Sequence, residues 1–100
     1  MIKHVILWKL KEGSSEDEKK LIKENVKKNL EGLAGKIPGL ESIEVNINGL
    51  ESSNADMMLD SLFVDEDSLK GYAIHPDHVA VANEYVRPFT EVRMCLDYER

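Results

Sequence analysis

Residues 2–11 read Ile2-Lys3-His4-Val5-Ile6-Leu7-Trp8-Lys9-Leu10-Lys11, and their alternation decides the fold. In a strand, successive side chains point to opposite faces. Ile2, His4, Ile6, Trp8 and Leu10 therefore share one face, while Lys3, Val5, Leu7, Lys9 and Lys11 share the other. The residue types favour β structure, so the stretch predicts a strand. Neither face is wholly polar. A strand with one wet face would alternate cleanly between apolar and polar residues. This one asks for cover on both sides.

Residues 57–65, MMLDSLFVD, repeat that property. Met57, Leu59 and Phe63 lie on one face, and Met58, Leu62 and Val64 lie on the other, so both faces read as largely buried. Between these two stretches comes a helix and a strand. Ser15-Glu16-Asp17-Glu18 fits the capping box, in which the serine accepts from the third backbone N–H and the glutamate reaches back. Three acids there also suit the positive end of a helix. Ile22, Val26, Leu30, Leu33 and Ile37 follow in a narrow apolar stripe that predicts a helix to about residue 34, stopped at Gly35. Ile37-Pro38-Gly39 reads as a tight turn. Ile43, Val45 and Ile47 alternate with Ser42, Glu44 and Asn46 as a half-buried strand, and the polar residues 48–56 close a hairpin.

After residue 65 the helical period returns. Asp65-Glu66-Asp67-Ser68 opens a short helix with Leu69, Tyr72 and Ala73 on one side. His75-Pro76 breaks it, because a residue before proline avoids helical geometry, and Pro76 restarts a helix at its first position. That helix carries His78, Val79, Ala82 and Val86. Residues 89–99 form the last strand, alternating Val92, Met94, Leu96 and Tyr98 against Glu91, Arg93, Cys95 and Asp97.

The order is βαββαβ, an α+β, ferredoxin-like arrangement of residues 1–100 as one domain. Right-handed crossovers put both helices on one face of a four-stranded antiparallel sheet. No helix remains for the second face, which still carries apolar residues. A two-fold homodimer packed sheet on sheet satisfies it. Val5, Leu7 and Leu62 are expected at that interface.

The totals narrow the partners. Forty-two per cent hydrophobic and 32% charged residues mark an ordinary globular chain. A net charge of −6 disfavours nucleic acid and anionic membranes as partners. Cys95 is the only cysteine, so no internal disulfide forms, and a reducing cytoplasm is the expected compartment. The opening residues lack a leader-like apolar core, and no stretch approaches the roughly 20 apolar residues of a membrane span.

Four stretches now carry a resemblance. Lys3-His4-Val5-Ile6-Leu7-Trp8-Lys9, Ile37-Pro38-Gly39, Tyr72-Ala73-Ile74-His75-Pro76-Asp77-His78-Val79 and Asp97-Tyr98 resemble the stress-responsive dimeric α/β-barrel (Dabb) family. The Tyr-x-x-His-Pro-x-His-Val stretch is the most specific of them. The resemblance implies a ferredoxin-like dimer enclosing a central barrel between its two sheets. Many family members have no assigned biochemistry, and some plant members are stress-induced and heat-stable. The sequence is also similar to a plant polyketide cyclase of the family at His4, Tyr72, His75, His78 and Asp97. That similarity implies His78 as a base, Tyr72 as a binder of a substrate carbonyl and Asp97 as the group that orients the histidine.

The same residues make chemical sense. His78 falls in the first turn of a helix, where the dipole disfavours imidazolium. A neutral imidazole can take a proton near pH 7. A tyrosine hydroxyl can donate to a developing enolate, and a carboxylate can fix a histidine tautomer. His4 and Ile6, on one face of the first strand, can line the same cavity together with His75. Structural roles compete with each of these. His75 and His78 flank a helix start and can satisfy its free backbone groups. Tyr72 at helical spacing from Leu69 suits a core aromatic, and Asp97 can pair with Arg93 on its own side. Cys95 is expected as a small buried apolar residue, and Trp8 as core or interface packing. A metal site of His4, His75 and His78 ranks last, because no cysteine or second carboxylate completes a ligand set. No metal or cofactor is expected.

The sequence thus predicts a small cytoplasmic homodimer of unassigned biochemistry that holds a small apolar ligand between sheet and helices. The alternative is a cyclase- or lyase-like enzyme that removes a proton beside a carbonyl of a polyketide-like compound, with a histidine base. A cofactor-free monooxygenase of the related dimeric barrels is the second alternative.

Overall fold

The computed structural model describes residues 1–100. Its first strand, β1 (Ile2–Leu10), runs through the middle of a four-stranded antiparallel sheet. The chain continues as α1 (Glu16–Glu31), β2 (Leu40–Asn46), β3 (Met57–Phe63), α2 (Glu66–Ile74), α3 (Pro76–Val81) and β4 (Thr90–Glu99). A single π turn, Ala82–Val86, and a 3₁₀ turn, Arg87–Phe89, join α3 to β4. The strands lie in the order β2-β3-β1-β4, so the ferredoxin-like βαββαβ expectation holds. No helix is long and apolar enough to cross a membrane.

The local signals act as their chemistry predicts. Ser15 Oγ accepts from the Glu18 backbone N–H at 3.1 Å, and the Glu18 side chain accepts from the Ser15 N–H, which closes the capping box. Asp65 caps α2 by accepting from the Ser68 N–H at 2.8 Å. His75 sits at φ −64° and ψ 131°, an extended conformation that ends α2 and precedes Pro76 at the start of α3. The end of α1 departs from expectation. Its last residue is Glu31 and Gly32 caps it, and the chain goes on turning through Gly35 at φ +79°. The apolar stripe runs on through Leu33 and Ile37, both buried, but they pack from a turn and not from a helix.

Helices cover one face only. Ile2, Ile6, Trp8 and Leu10 of β1 join Met57, Leu59 and Phe63 of β3 beneath Val26 and Leu30 of α1 and Tyr72 of α2. Each such buried side chain contributes roughly 1.5–3 kcal/mol relative to exposure. Lys27 ties α1 to the sheet: its ammonium donates to Glu31 at 2.8 Å and to the Val45 carbonyl at 2.7 Å, while Glu31 accepts from the Val45 N–H at 2.9 Å.

The opposite face of the sheet is open. Register places Leu7 between Met58 and Met94, Val5 between Asp60 and Leu96, and Lys3 between Leu62 and Tyr98. Met94 and Leu96 are each 65% exposed, and Leu7, Val92 and Tyr98 are exposed with them. Lys3 pairs with Asp60 at 2.5 Å, which neutralises the charges on this apolar surface. The second apolar face read from β1 and β3 is therefore present, and β4 supplies most of its exposed area.

Candidate functional site

Tyr72 and His78 come together because the chain bends between them. Tyr72 lies on the inward face of α2, only 2% exposed, with its ring against Phe63 at a centroid distance of 5.1 Å and edge-on to His4 at 6.0 Å. The extended His75 turns the chain, and α3 carries the His78 ring back over Tyr72, stacked at 4.0 Å. Tyr72 Oη and His78 Nδ1 are both buried, and neither has a hydrogen-bond partner within the chain. A buried polar atom left unpaired costs about 1–3 kcal/mol. Native structures leave few of them, and two side by side call for a partner from outside the chain.

Both residues line one cavity of about 110 Å³. Ile6, Trp8, Leu30 and Leu59 form its apolar floor, and His4, Arg87 and Arg93 complete the polar part of the wall. A wider cleft of about 590 Å³, between β1, β4 and α2, shares His4, Leu69, Ala73 and Arg93 with it. The cleft is thus the approach to the inner cavity. It exists because α2 is only nine residues long and leaves the adjoining face of β4 uncovered. A separate groove of about 420 Å³ beside residues 46–58 contains none of the histidines and not Tyr72.

Asp97 is where correction is needed. It does not reach His78. The β1–β4 register sets it directly across from His4, and its carboxylate bonds to His4 Nδ1. Asp97 in this fold therefore pairs with His4 and not with His78. His4 is itself buried and its backbone carbonyl accepts from the fully buried Ser61 hydroxyl at 3.0 Å. Cys95 Sγ lies 3.4 Å from Asp97 and 3.8 Å from His4 Nδ1. It is an exposed thiol facing the cleft, not the buried apolar residue expected, because β4 is an edge strand without a helix above it. His4, Cys95 and Asp97 are the one group of three metal-ligating side chains, with ligand atoms within 4.8 Å of one another. His4, His75 and His78 form no such group.

Electrostatics separate the groups. Burial lowers the His78 pKa; the backbone carbonyls of Ala73 and Tyr72 work against this, and the neighbouring Arg87 and His4 side chains work with it. The imidazole is therefore held in its neutral, proton-accepting form. Burial pushes the Tyr72 hydroxyl far up, only partly offset by Arg93, so it stays protonated as a donor. Burial and the neighbouring Asp97 carboxylate raise the Cys95 thiol, with Arg93 opposing, which makes it a poor nucleophile.

Of the residues expected at the site, His4, Ile6, Tyr72 and His78 line the cavity, and Asp97 stands at its approach. His75 does not line it. Its Nδ1 accepts from the Asp77 N–H at 3.1 Å, so it caps α3. Arg87 and Arg93 line the cavity; the sequence offers Arg93 only as a partner for Asp97, and Asp97 bonds His4 instead. The signal for Arg93 was available, since it shares the alternate positions of the last strand with Cys95 and Asp97. Arg87 follows an irregular turn and carried none.

A family model described as Stress responsive A/B Barrel Domain (Dabb) matches residues 2–100. Among solved structures, a dimeric protein of unknown function with a ferredoxin-like fold from Bacteroides fragilis is 34% identical, with a TM-score of 0.91 over 99% of this chain and 95% of that one. A dimeric ferredoxin-like protein of unknown function from Thermobifida fusca is 26% identical, with a TM-score of 0.80 over 97% of this chain and 88% of that one. A hydroxynitrile lyase from Passiflora edulis shares the fold, at 15% identity and a TM-score of 0.71 over 97% of this chain and 90% of that one. No curated protein matches the sequence.

Proposed function

The chain belongs to the stress-responsive A/B barrel (Dabb) family, and from that premise we propose that it works as a homodimer binding a small, mostly apolar carbonyl compound in the cavity at Tyr72 and His78. One observation carries the reading: a donor, Tyr72 Oη, and a ring nitrogen, His78 Nδ1, are buried without partners in the wall of the same apolar cavity. A ligand carbonyl accepting from Tyr72 would satisfy the first. The apolar floor would hold the ligand's body, as in most small-molecule sites. The exposed sheet face of Leu7, Met94 and Leu96 supports pairing with a second copy, and the B. fragilis and T. fusca neighbours are themselves dimeric. The net charge of −6 argues against nucleic acid and anionic membranes as partners, and the lone thiol fits a reducing cytoplasm. Titration with short-chain methyl ketones, followed by amide NMR, tests the pocket. Shifts should centre on Ala73, His78 and Ala82; shifts scattered over the surface, or none, refute it.

A second reading is favoured by the neutral state of His78. With its proton on Nε2, the ring can accept a proton at Nδ1 from the carbon beside the bound carbonyl while Tyr72 donates to the developing enolate oxygen. The fold accommodates enzyme chemistry, as the Passiflora edulis lyase demonstrates for its own chain. Incubation with the same ketones in heavy water should accelerate exchange of their α-protons. His78→Ala should abolish the acceleration and keep the fold and dimer. If that substitution alters only the melting temperature, His78 is structural and the protein binds without turnover.

A further inference from the structure

The cavity wall has a charge pattern that the ligand reading does not use. The whole chain carries −6, yet the only formally charged side chains lining the inner cavity are two arginines, Arg87 and Arg93. Arg87 donates to Asn83 at 2.5 Å and keeps further donors. Arg93 has no carboxylate within ion-pair distance, although acids outnumber bases in the chain. Its place explains why. On the helix-side face of β4, the order from the chain end inward is Glu99, Asp97, Cys95, Arg93, opposite Ile2, His4, Ile6 and Trp8. Four residues of strand put Arg93 about 13 Å from Asp97. Asp97 is meanwhile engaged by His4. Asp97 and Glu99 thus stand at one end of the cleft and Arg93, touching Cys95 but no carboxylate, at the other, where cleft and cavity join. Its positive charge already acts on both Tyr72 and Cys95.

We infer that the natural ligand of this pocket is a small carboxylic acid with an apolar body, whose carboxylate is held by Arg93 with help from Arg87. This rests on the binding reading above and narrows it. A guanidinium presents two parallel N–H donors that match a carboxylate's two oxygens. The anion would meet a local positive field despite the acidic surface, because the two guanidiniums are the formal charges nearest the cavity. The same arrangement disfavours cationic ligands and leaves neutral ones with the Tyr72 contact alone.

Matched acids and amides of equal size test this, since both keep a carbonyl and differ in charge. Butyrate, hexanoate and octanoate are titrated against their primary amides at low ionic strength, read by the amide shifts of Ala73, His78 and Ala82. The best acid should bind on the order of tenfold more tightly than its amide, the difference typical of a charge-assisted contact. Arg93→Gln should remove most of that preference without lowering the melting temperature, Arg93→Lys should restore part of it, and added salt should shrink it. Equal affinity for acid and amide, or a preference that survives combined Arg93→Gln and Arg87→Gln, overturns the inference and leaves the pocket reading standing. Shifts at the cavity from neither series overturn both.

Discussion

Tyr72 and His78 stack with their ring centroids 4.0 Å apart and their planes inclined by 27°. They belong to different helices, and only the His75-Pro76 break lets them meet. The stack buries a titratable ring beside a hydroxyl that burial keeps protonated. Two consequences of this geometry, and three of the surrounding scaffold, can be measured.

The His78 ring should titrate below the unperturbed value of 6.5, since burial, the first of its causes, penalises the charged form. The unfolded chain then binds the proton more readily than the folded one. The contribution of His78 to stability is fully present above pH 6.5 and is lost as pH falls through the folded value. NMR titration of the imidazole carbons checks the shift, and His78→Gln should flatten this part of the stability–pH curve. A ring titrating at or above 6.5 would contradict the burial seen here.

Tyr72→Phe removes an unpaired buried hydroxyl and keeps the ring. Stability should hold or rise by about 1 kcal/mol, because an orphaned polar group is a cost and not a bond. Ligand binding should weaken in the same variant. Urea denaturation and ketone titration on one preparation separate the two effects.

Ser61→Ala should show the reverse sign. The Ser61 hydroxyl is fully buried and donates to the His4 carbonyl at 3.0 Å. Removing it takes one donor from a carbonyl that the β1–β3 ladder also engages, at a net cost of about 0.5–1.5 kcal/mol. The melting temperature should fall, and the loss should exceed that of Ser53→Ala in the exposed loop.

Gly35→Ala and Gly39→Ala make a controlled pair. Both glycines sit at φ +79°, so each substitution incurs the left-handed backbone penalty of roughly 1–2 kcal/mol. Nothing lies within 4 Å of a new Cβ at position 35, whereas at position 39 it would stand 2.0 Å from Ser68 Oγ. The Gly39 variant should lose more, and Ser68→Gly in the same chain should recover the excess. Equal losses would mean that the Ser68 contact relaxes freely.

Leu96→Glu should convert the dimer into an 11.3 kDa species in sedimentation, because position 96 is 65% exposed on the open sheet face beside Val5. Far-ultraviolet dichroism should be retained, since the change lies outside the core. A dimer that survives both this substitution and Met94→Glu would have to use another surface.

Much of this fold is legible in the sequence. Strand faces of β1 and β3, the Ser15–Glu18 capping box and the Pro76 restart are local patterns, and local patterns survive folding. The fold's second apolar face followed from them. What sequence could not assign was pairing across strands. Asp97 was expected to orient His78 and instead bonds His4, because register and not residue type chooses its neighbour. Cys95 was expected to be buried, but exposure depends on whether a helix lies above an edge strand, and none does. His75 was placed in the pocket when its ring is committed to the α3 N-terminus. The α1 stop was read at Gly35, although the helix closes at Glu31 and the intervening turn keeps Leu33 in the core.

Strand β4 gives one set of alternate residues, Arg93, Cys95 and Asp97, to the cleft and the other, Val92, Met94, Leu96 and Tyr98, to the open face. It is held to the sheet along one edge only, by β1. A single ribbon therefore borders both surfaces, and Tyr98 near its end touches the cleft as well. Dilution that separates the copies would loosen the ribbon and with it the wall of the cleft. Ligand affinity should then depend on protein concentration, and ligand should in return hold the copies together, as thermodynamic linkage requires.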